Sequence, residues 1–111
     1  MTGPRVPPPT NHRVSVAEGA AHTKRHRDTL PANHPGGSHG HSFDAQQVRD
    51  LLAGGCKHLM IYHGRSATGE SSIVLVGRDA QGKDMVGASN AVLESGFPCP
   101  PWCDPISPLN A

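Results

Sequence analysis

The chain has 111 residues, of which 35% are hydrophobic and only 4% aromatic, so it has room for one small domain with a small apolar core. Its formal net charge is +1, and its 13 glycines and 11 prolines leave little of the chain for regular packing. It contains no apolar run of about eighteen residues and no signal-peptide core near its beginning, so we expect neither a membrane span nor classical export. These features predict a cytoplasmic protein.

Residues 1–42 are rich in proline, glycine, histidine and arginine and contain no periodic run of apolar side chains. Such a segment cannot bury enough surface to offset the entropy lost on ordering, so we predict that it is a disordered basic tail. It holds five basic and two acidic residues, a net charge of +3. Because no aromatic residues are interleaved with the basic ones, nucleic acid is not expected as a partner.

Three histidines near the end of this tail, His34, His39 and His41, have side chains that bind soft divalent metals. A site here would be weak, because the flexible chain must become ordered when the metal binds. We therefore interpret this stretch as a histidine-rich linker.

The folded part is predicted to begin with a short helix, from about residue 45 to 53. Asp44 and Gln47 fit a loosened capping box, and Phe43 is placed to pack on Val48 as a hydrophobic staple. The two glycines that follow are expected to end the helix, because glycine adopts the left-handed conformation without strain.

Two strands are predicted next, at about residues 57–63 and 71–78, and a turn with Gly82 in the left-handed conformation leads to a short third strand at about 83–86. Glycines between the first two strands have the spacing of a phosphate-binding loop, but Glu70 stands where such a loop needs lysine. Both strand faces are apolar and one helix covers only one of them. We therefore expect the C-terminal segment or a second copy of the chain to cover the other face.

These elements predict an α+β domain at residues 43–98, with one short helix packed on an antiparallel sheet of two to three strands. It lies between the tail at 1–42 and a Pro/Cys-rich C-terminal tail at 99–111. The many prolines of the C-terminal tail exclude a regular helix or a central strand there.

The three cysteines, Cys56, Cys99 and Cys103, suggest metal ligation or burial before a disulfide, because cytoplasmic thiols stay reduced. If the C-terminal tail folds back over the sheet, the three thiolates with His58 or His63 would form a tetrahedral structural zinc site. Zinc would compensate for the small core. A disulfide between Cys99 and Cys103, or three independent thiols, are the alternatives that remain open.

Cys56 with His58 or His63 also has the composition of a nucleophile and its base. Nothing in the sequence supplies an orienting acid or an oxyanion hole, however. We therefore predict no catalytic residue and no cofactor-binding residue, and we expect that the protein is not an enzyme.

Several short motifs carry a family resemblance: Gly-Cys before the first strand, a strand ending near Tyr62, a Gly-x-Asp turn, and a C-terminal Cys-Pro-x-x-Cys followed by Ser-Pro-Leu-Asn. Over residues 43–111 the chain resembles a group of small, uncharacterised bacterial proteins with these motifs. The resemblance implies a bacterial origin and adds no activity.

Together these features predict a non-enzymatic interaction or assembly module. Its partner would be an unknown protein, or a second copy bound through the open sheet face, and no membrane partner is expected. The alternative is a zinc-binding or thiol-based protein that uses Cys56, Cys99 and Cys103, with His58 as a fourth ligand. The Ser-Pro-Leu-Asn end is a candidate docking motif.

Overall fold

The computed structural model describes residues 3–30 and 38–110, which form two α-helices and two antiparallel sheets. In chain order the elements are α1 Val16–Asp28, β1 Gly40–Ser42, α2 Ala45–Leu52, β2 His58–Arg65, β3 Ser71–Arg78, β4 Val92–Leu93, β5 Phe97–Cys99 and a 3-10 helix Pro108–Asn110. β2, β3 and β4 form one sheet in that order, and β1 pairs with β5 in the other. None of the helices described is long and apolar enough to cross a membrane.

The predicted α+β class is confirmed, but the prediction of a single helix is wrong. The N-terminal segment is also not disordered throughout, because α1 and β1 both lie within residues 1–42. Residues 31–37 of that predicted tail, with His34, lie outside the described part of the chain.

Helix α1 is held by the far end of the chain. Ser15 caps it by accepting a hydrogen bond from the N–H of Glu18 at 3.0 Å. Thr23 Oγ1 donates to the carbonyl oxygen of Leu109 at 2.7 Å, and a Cβ placed on Gly19 would lie 3.4 Å from the Leu109 side chain. No residue of α1 is buried. A helix without a buried face does not need the apolar side chains at helical spacing by which a sequence reveals a helix, so α1 was not predicted.

Helix α2 follows the sequence prediction closely. The Asp44 carboxylate accepts hydrogen bonds from the N–H groups of Gln46 and Gln47, at 3.1 and 3.3 Å. Beyond the helix, Gly55 has a φ of 91°, as expected for a glycine that ends a helix. The helix contacts β3 and β4, and its Leu51 is buried.

The hairpin of β2 and β3 pairs over its whole length, from His58 opposite Arg78 to Arg65 opposite Ser71. β3 has the predicted bounds, whereas β2 begins and ends slightly later than predicted. Leu75 and Val76 in β3 are 5% and 2% exposed. With Leu51 they make up the buried apolar core of the described residues.

The third strand of this sheet is not where the sequence placed it. Residues 83–86 contribute only an isolated bridge, Asp84 to Arg78, and the sheet is completed by β4, which pairs with Leu75 and Val76 of β3. The predicted turn is present, and Gly82 has the left-handed conformation, with a φ of 82°.

The turn keeps residues 83–86 beside β3 without forming a regular strand. The Asp79 carboxylate accepts the N–H of Gln81 at 2.9 Å and that of Lys83 at 3.0 Å, so the N–H of Lys83 is satisfied within the turn. The carbonyl oxygen of Lys83 accepts the N–H of Asp79 at 3.0 Å, and the N–H of Met85 donates to the carbonyl oxygen of Gly77 at 2.8 Å. These two backbone hydrogen bonds form the isolated bridge between Arg78 and Asp84.

The small sheet of β1 and β5 connects the end of the predicted N-terminal tail with the beginning of the predicted C-terminal tail. Gly40 lies opposite Cys99, and Ser42 lies opposite Phe97. The ring Nε2 of His41 is 3.1 Å from the carbonyl oxygen of Ser71, where β3 begins. These contacts cross the predicted boundaries at 42/43 and 98/99. The division into three parts stays a prediction.

We expect Leu75→Ala to lower the free energy of unfolding by about 2–4 kcal/mol, because a cavity replaces much of a small core. Urea denaturation followed by far-ultraviolet circular dichroism measures the loss. The control is Val86→Ala at a side chain that is 70% exposed, where the change should stay below about 0.5 kcal/mol. Equal effects at the two positions would contradict this description of the core.

Candidate thiol and metal site

Cys99 and Cys103 form a disulfide bond, with their Cα atoms 4.9 Å apart. A tight turn brings them together: the N–H of Trp102 donates to the carbonyl oxygen of Pro98 at 2.9 Å, and that of Cys103 donates to Pro101 at 3.0 Å. The bond closes a loop of only a few residues, so the chain-entropy account gives it about 2 kcal/mol of stabilisation, less than for a long loop. The sequence left this pairing open as one alternative.

His39 lies beside this disulfide. A ring nitrogen of His39 and the sulfurs of Cys99 and Cys103 all lie within 4.8 Å of one another. The N–H of His39 donates to the carbonyl oxygen of Cys99 at 2.6 Å, and its ring Nδ1 is 3.0 Å from Asn110 Oδ1. No other trio of His, Cys, Asp or Glu side chains within residues 3–30 and 38–110 is close enough to hold a metal ion.

The other two predicted metal ligands, Cys56 and His58, lie outside this group. Cys56 is a half-buried free thiol under the sheet, where a Cβ placed on Gly77 would come within 2.7 Å of its Cβ. His58 begins β2, and its Nδ1 is buried without a hydrogen-bond partner. The structure thus brings together two of the four predicted ligands, Cys99 and Cys103, and a zinc site of all four stays a prediction.

The sequence did not connect His39 with the cysteines. It grouped His39 with His34, which lies outside the described residues, and with His41, whose Nε2 faces a backbone carbonyl oxygen. The contact between His39 and Cys99 depends on the pairing of two three-residue strands that are far apart in the chain. Strands this short have too few alternating positions for the sequence to show which strand pairs with which. The sequence signal for this site was therefore limited to the presence of histidine and cysteine, two residue types that bind metals.

An open groove of about 260 Å³ runs past the disulfide and His39. Trp102 lies on its wall, 65% exposed, with its ring centroid 5.5 Å from that of Phe97. A larger cavity, about 480 Å³, lies between the N-terminal prolines and β2, but no cysteine lines it. The groove beside the disulfide is therefore open to solvent.

A polar cluster of Tyr62, Arg78 and Asp84 lies on the three-stranded sheet. The Asp84 carboxylate accepts hydrogen bonds from the Tyr62 hydroxyl and from Arg78 Nε, the latter at 2.7 Å. These hydrogen bonds, first that of Tyr62 and then that of Arg78, hold the pKa of Asp84 below its ordinary value of 3.8. The hydrogen bond to Asp84 likewise raises the pKa of Arg78. The cluster anchors the loop after β3 to the sheet.

No known protein family, curated protein or solved structure matches the chain. The chemistry open to the site follows from its atoms alone. Two neighbouring sulfurs can undergo thiol–disulfide exchange, and two thiolates beside an imidazole are zinc ligands.

Asp84→Asn should remove a pH-dependent part of the stability. Because the folded-state pKa of Asp84 is lowered, its stabilisation is present above 3.8 and is lost as the pH falls through the folded-state value. The urea midpoint of the wild type should therefore exceed that of the variant at neutral pH, and the difference should shrink in acid. Tyr62→Phe should weaken the same pH dependence, and a difference between wild type and Asp84→Asn that does not change with pH would contradict the assignment.

Proposed function

We propose that the protein is a small, non-enzymatic interaction module that assembles with a second copy of itself through β2 and the surface around it. One observation carries the proposal. In the described part of the chain the buried apolar side chains are Leu51, Leu75 and Val76, while Leu59 and Ile61 of β2 are exposed. A core this small usually needs a metal, a disulfide or an oligomer for stability.

β2 lies at the edge of the three-stranded sheet, so no described strand pairs with its outer side. It is eight residues long and contains no proline. Its exposed apolar side chains include Leu59, Ile61 at 48% exposure, and Tyr62. A cavity separates the first residues of β2, 58–60, from the N-terminal prolines. Long apolar edge strands pair readily with another strand.

A second copy of the chain fits this edge well. Antiparallel pairing of β2 with its counterpart has two-fold symmetry, so the same surface serves both molecules. An axis at Ile61 would place this residue beside its counterpart and keep Leu59 on the same face of a continuous sheet. Burial of these side chains would add the apolar contact that each copy lacks alone.

A thiol-based or zinc-binding protein is the second candidate. The sequence predicted Cys56, Cys99 and Cys103 as its ligands. Its support in the fold is the position of His39 beside Cys99 and Cys103.

Ile61→Lys should weaken self-association by at least about tenfold, because it places two like charges at the proposed axis. Sedimentation velocity over a concentration series measures the change. The matched control is Val86→Lys, which alters another exposed apolar side chain outside β2 and should leave association unchanged. A wild-type chain that stays monomeric at every concentration would overturn the dimer.

A further inference from the structure

We propose that His39, Cys99 and Cys103 form a redox-controlled zinc site. The oxidised chain carries the disulfide and cannot bind the metal, whereas the reduced chain binds Zn²⁺ through the imidazole and two thiolates. This site rests on the second candidate function, metal binding by thiols, and replaces Cys56 and His58 by His39.

The fold already holds the three ligand atoms close to a zinc arrangement. They lie within 4.8 Å of one another. In a tetrahedral site with zinc–sulfur bonds of about 2.3 Å, the two sulfurs are about 3.8 Å apart. Once the disulfide is reduced, the sulfurs have to separate by roughly 2 Å, which side-chain rotation can provide. The backbone hydrogen bond from His39 to Cys99 keeps the two strands in register during this change.

Asn110 supplies the outer contact that a histidine ligand needs. Its Oδ1 lies 3.0 Å from His39 Nδ1. In the tautomer that carries its proton on Nδ1, this nitrogen donates to the Asn110 oxygen and the lone pair lies on Nε2, so the proposed site takes Nε2 as its ligand. Asn110 is itself held in place, because its Nδ2 donates to the carbonyl oxygen of Asp104 at 3.3 Å and its N–H donates to Ser107 at 3.0 Å.

The coordination sphere is completed from the solvent. Among the three ligands His39 is exposed, and Cys99 and Cys103 are half-buried. The groove past them is open. Three protein ligands and a water molecule are a recurrent zinc arrangement.

A dithiol is the reductant that opens the disulfide. The bond between the sulfurs of Cys99 and Cys103 breaks, and the two thiols of the reductant become a disulfide. Two electrons and two protons pass to the protein, which then has two thiols. Zinc binding displaces these two protons and leaves two thiolates. A small-molecule disulfide as oxidant reverses the step: its S–S bond breaks as it takes up two electrons from the thiolates and two protons from water to give two thiols, the protein disulfide forms again and Zn²⁺ is released.

The experiment compares the purified full-length chain in its oxidised form with the same chain reduced by a dithiol and then desalted without oxygen. Zn²⁺ is titrated in competition with a chromophoric chelator, and native mass spectrometry gives the stoichiometry. We expect one Zn²⁺ for each reduced chain and none for the oxidised chain. Fluorescence of Trp102, the chain's only tryptophan, reports the change beside Cys103, and an oxidising disulfide should release the metal.

Variants distinguish this site from the one predicted by sequence. His39→Ala should abolish binding, with His22→Ala on the exposed side of α1 as its matched control. Cys56→Ser should bind as the wild type does. Asn110→Ala should weaken binding about 10–100-fold. Asn110→Asp keeps the acceptor oxygen for His39 but loses the Nδ2 donor to Asp104, so it should bind more tightly than Asn110→Ala and less tightly than the wild type.

Three other results would each refute a different part of the proposal. If the oxidised and reduced chains bind zinc equally well, metal binding stands as a function and the redox control is refuted. Loss of binding in Cys56→Ser with normal binding in His39→Ala would transfer the site to the residues predicted by sequence. Absence of zinc binding by the reduced chain, with a folded state shown by circular dichroism, would refute both the site and the second candidate function.

Discussion

The structure depends first on the backbone pairing between β1 and β5. Each strand has three residues, and their pairing places Gly40 opposite Cys99. Closing a chain over this separation costs entropy, which short strands recover poorly by themselves. The disulfide beside the pair and the contacts of the C-terminal end with α1 add the missing stabilisation. The two predicted tails are thus ordered by each other.

This pairing also creates the candidate site. His39 belongs to the N-terminal half and the cysteine pair to the C-terminal end, and the register of β1 and β5 makes them neighbours. Asn110 joins them because the 3-10 helix that carries it packs on α1. The Ser-Pro-Leu-Asn end, predicted as a docking motif for a partner, therefore has contacts within its own chain.

The three-stranded sheet has a different role. Its hairpin is long and regular, yet the buried apolar core of the described residues is limited to Leu51, Leu75 and Val76. The segment after β3 is held on the sheet by hydrogen bonds from Tyr62 and Arg78 to Asp84, where a larger domain would use apolar contacts. Because hydrogen bonds and one disulfide replace part of the apolar packing, apolar side chains of β2 stay exposed, and this exposure is the basis of the proposed self-association.

The sequence alone determined the elements whose signals are local. Asp44 caps α2, the continuous apolar run at residues 73–76 defines β3, and Gly82 provides the turn, because each depends on residues within a few positions of one another. Only the tertiary structure decided the existence of α1, the position of the third strand and the meeting of His39 with Cys99 and Cys103. These depend on contacts between distant segments, whose energies no local pattern of apolar or turn residues contains.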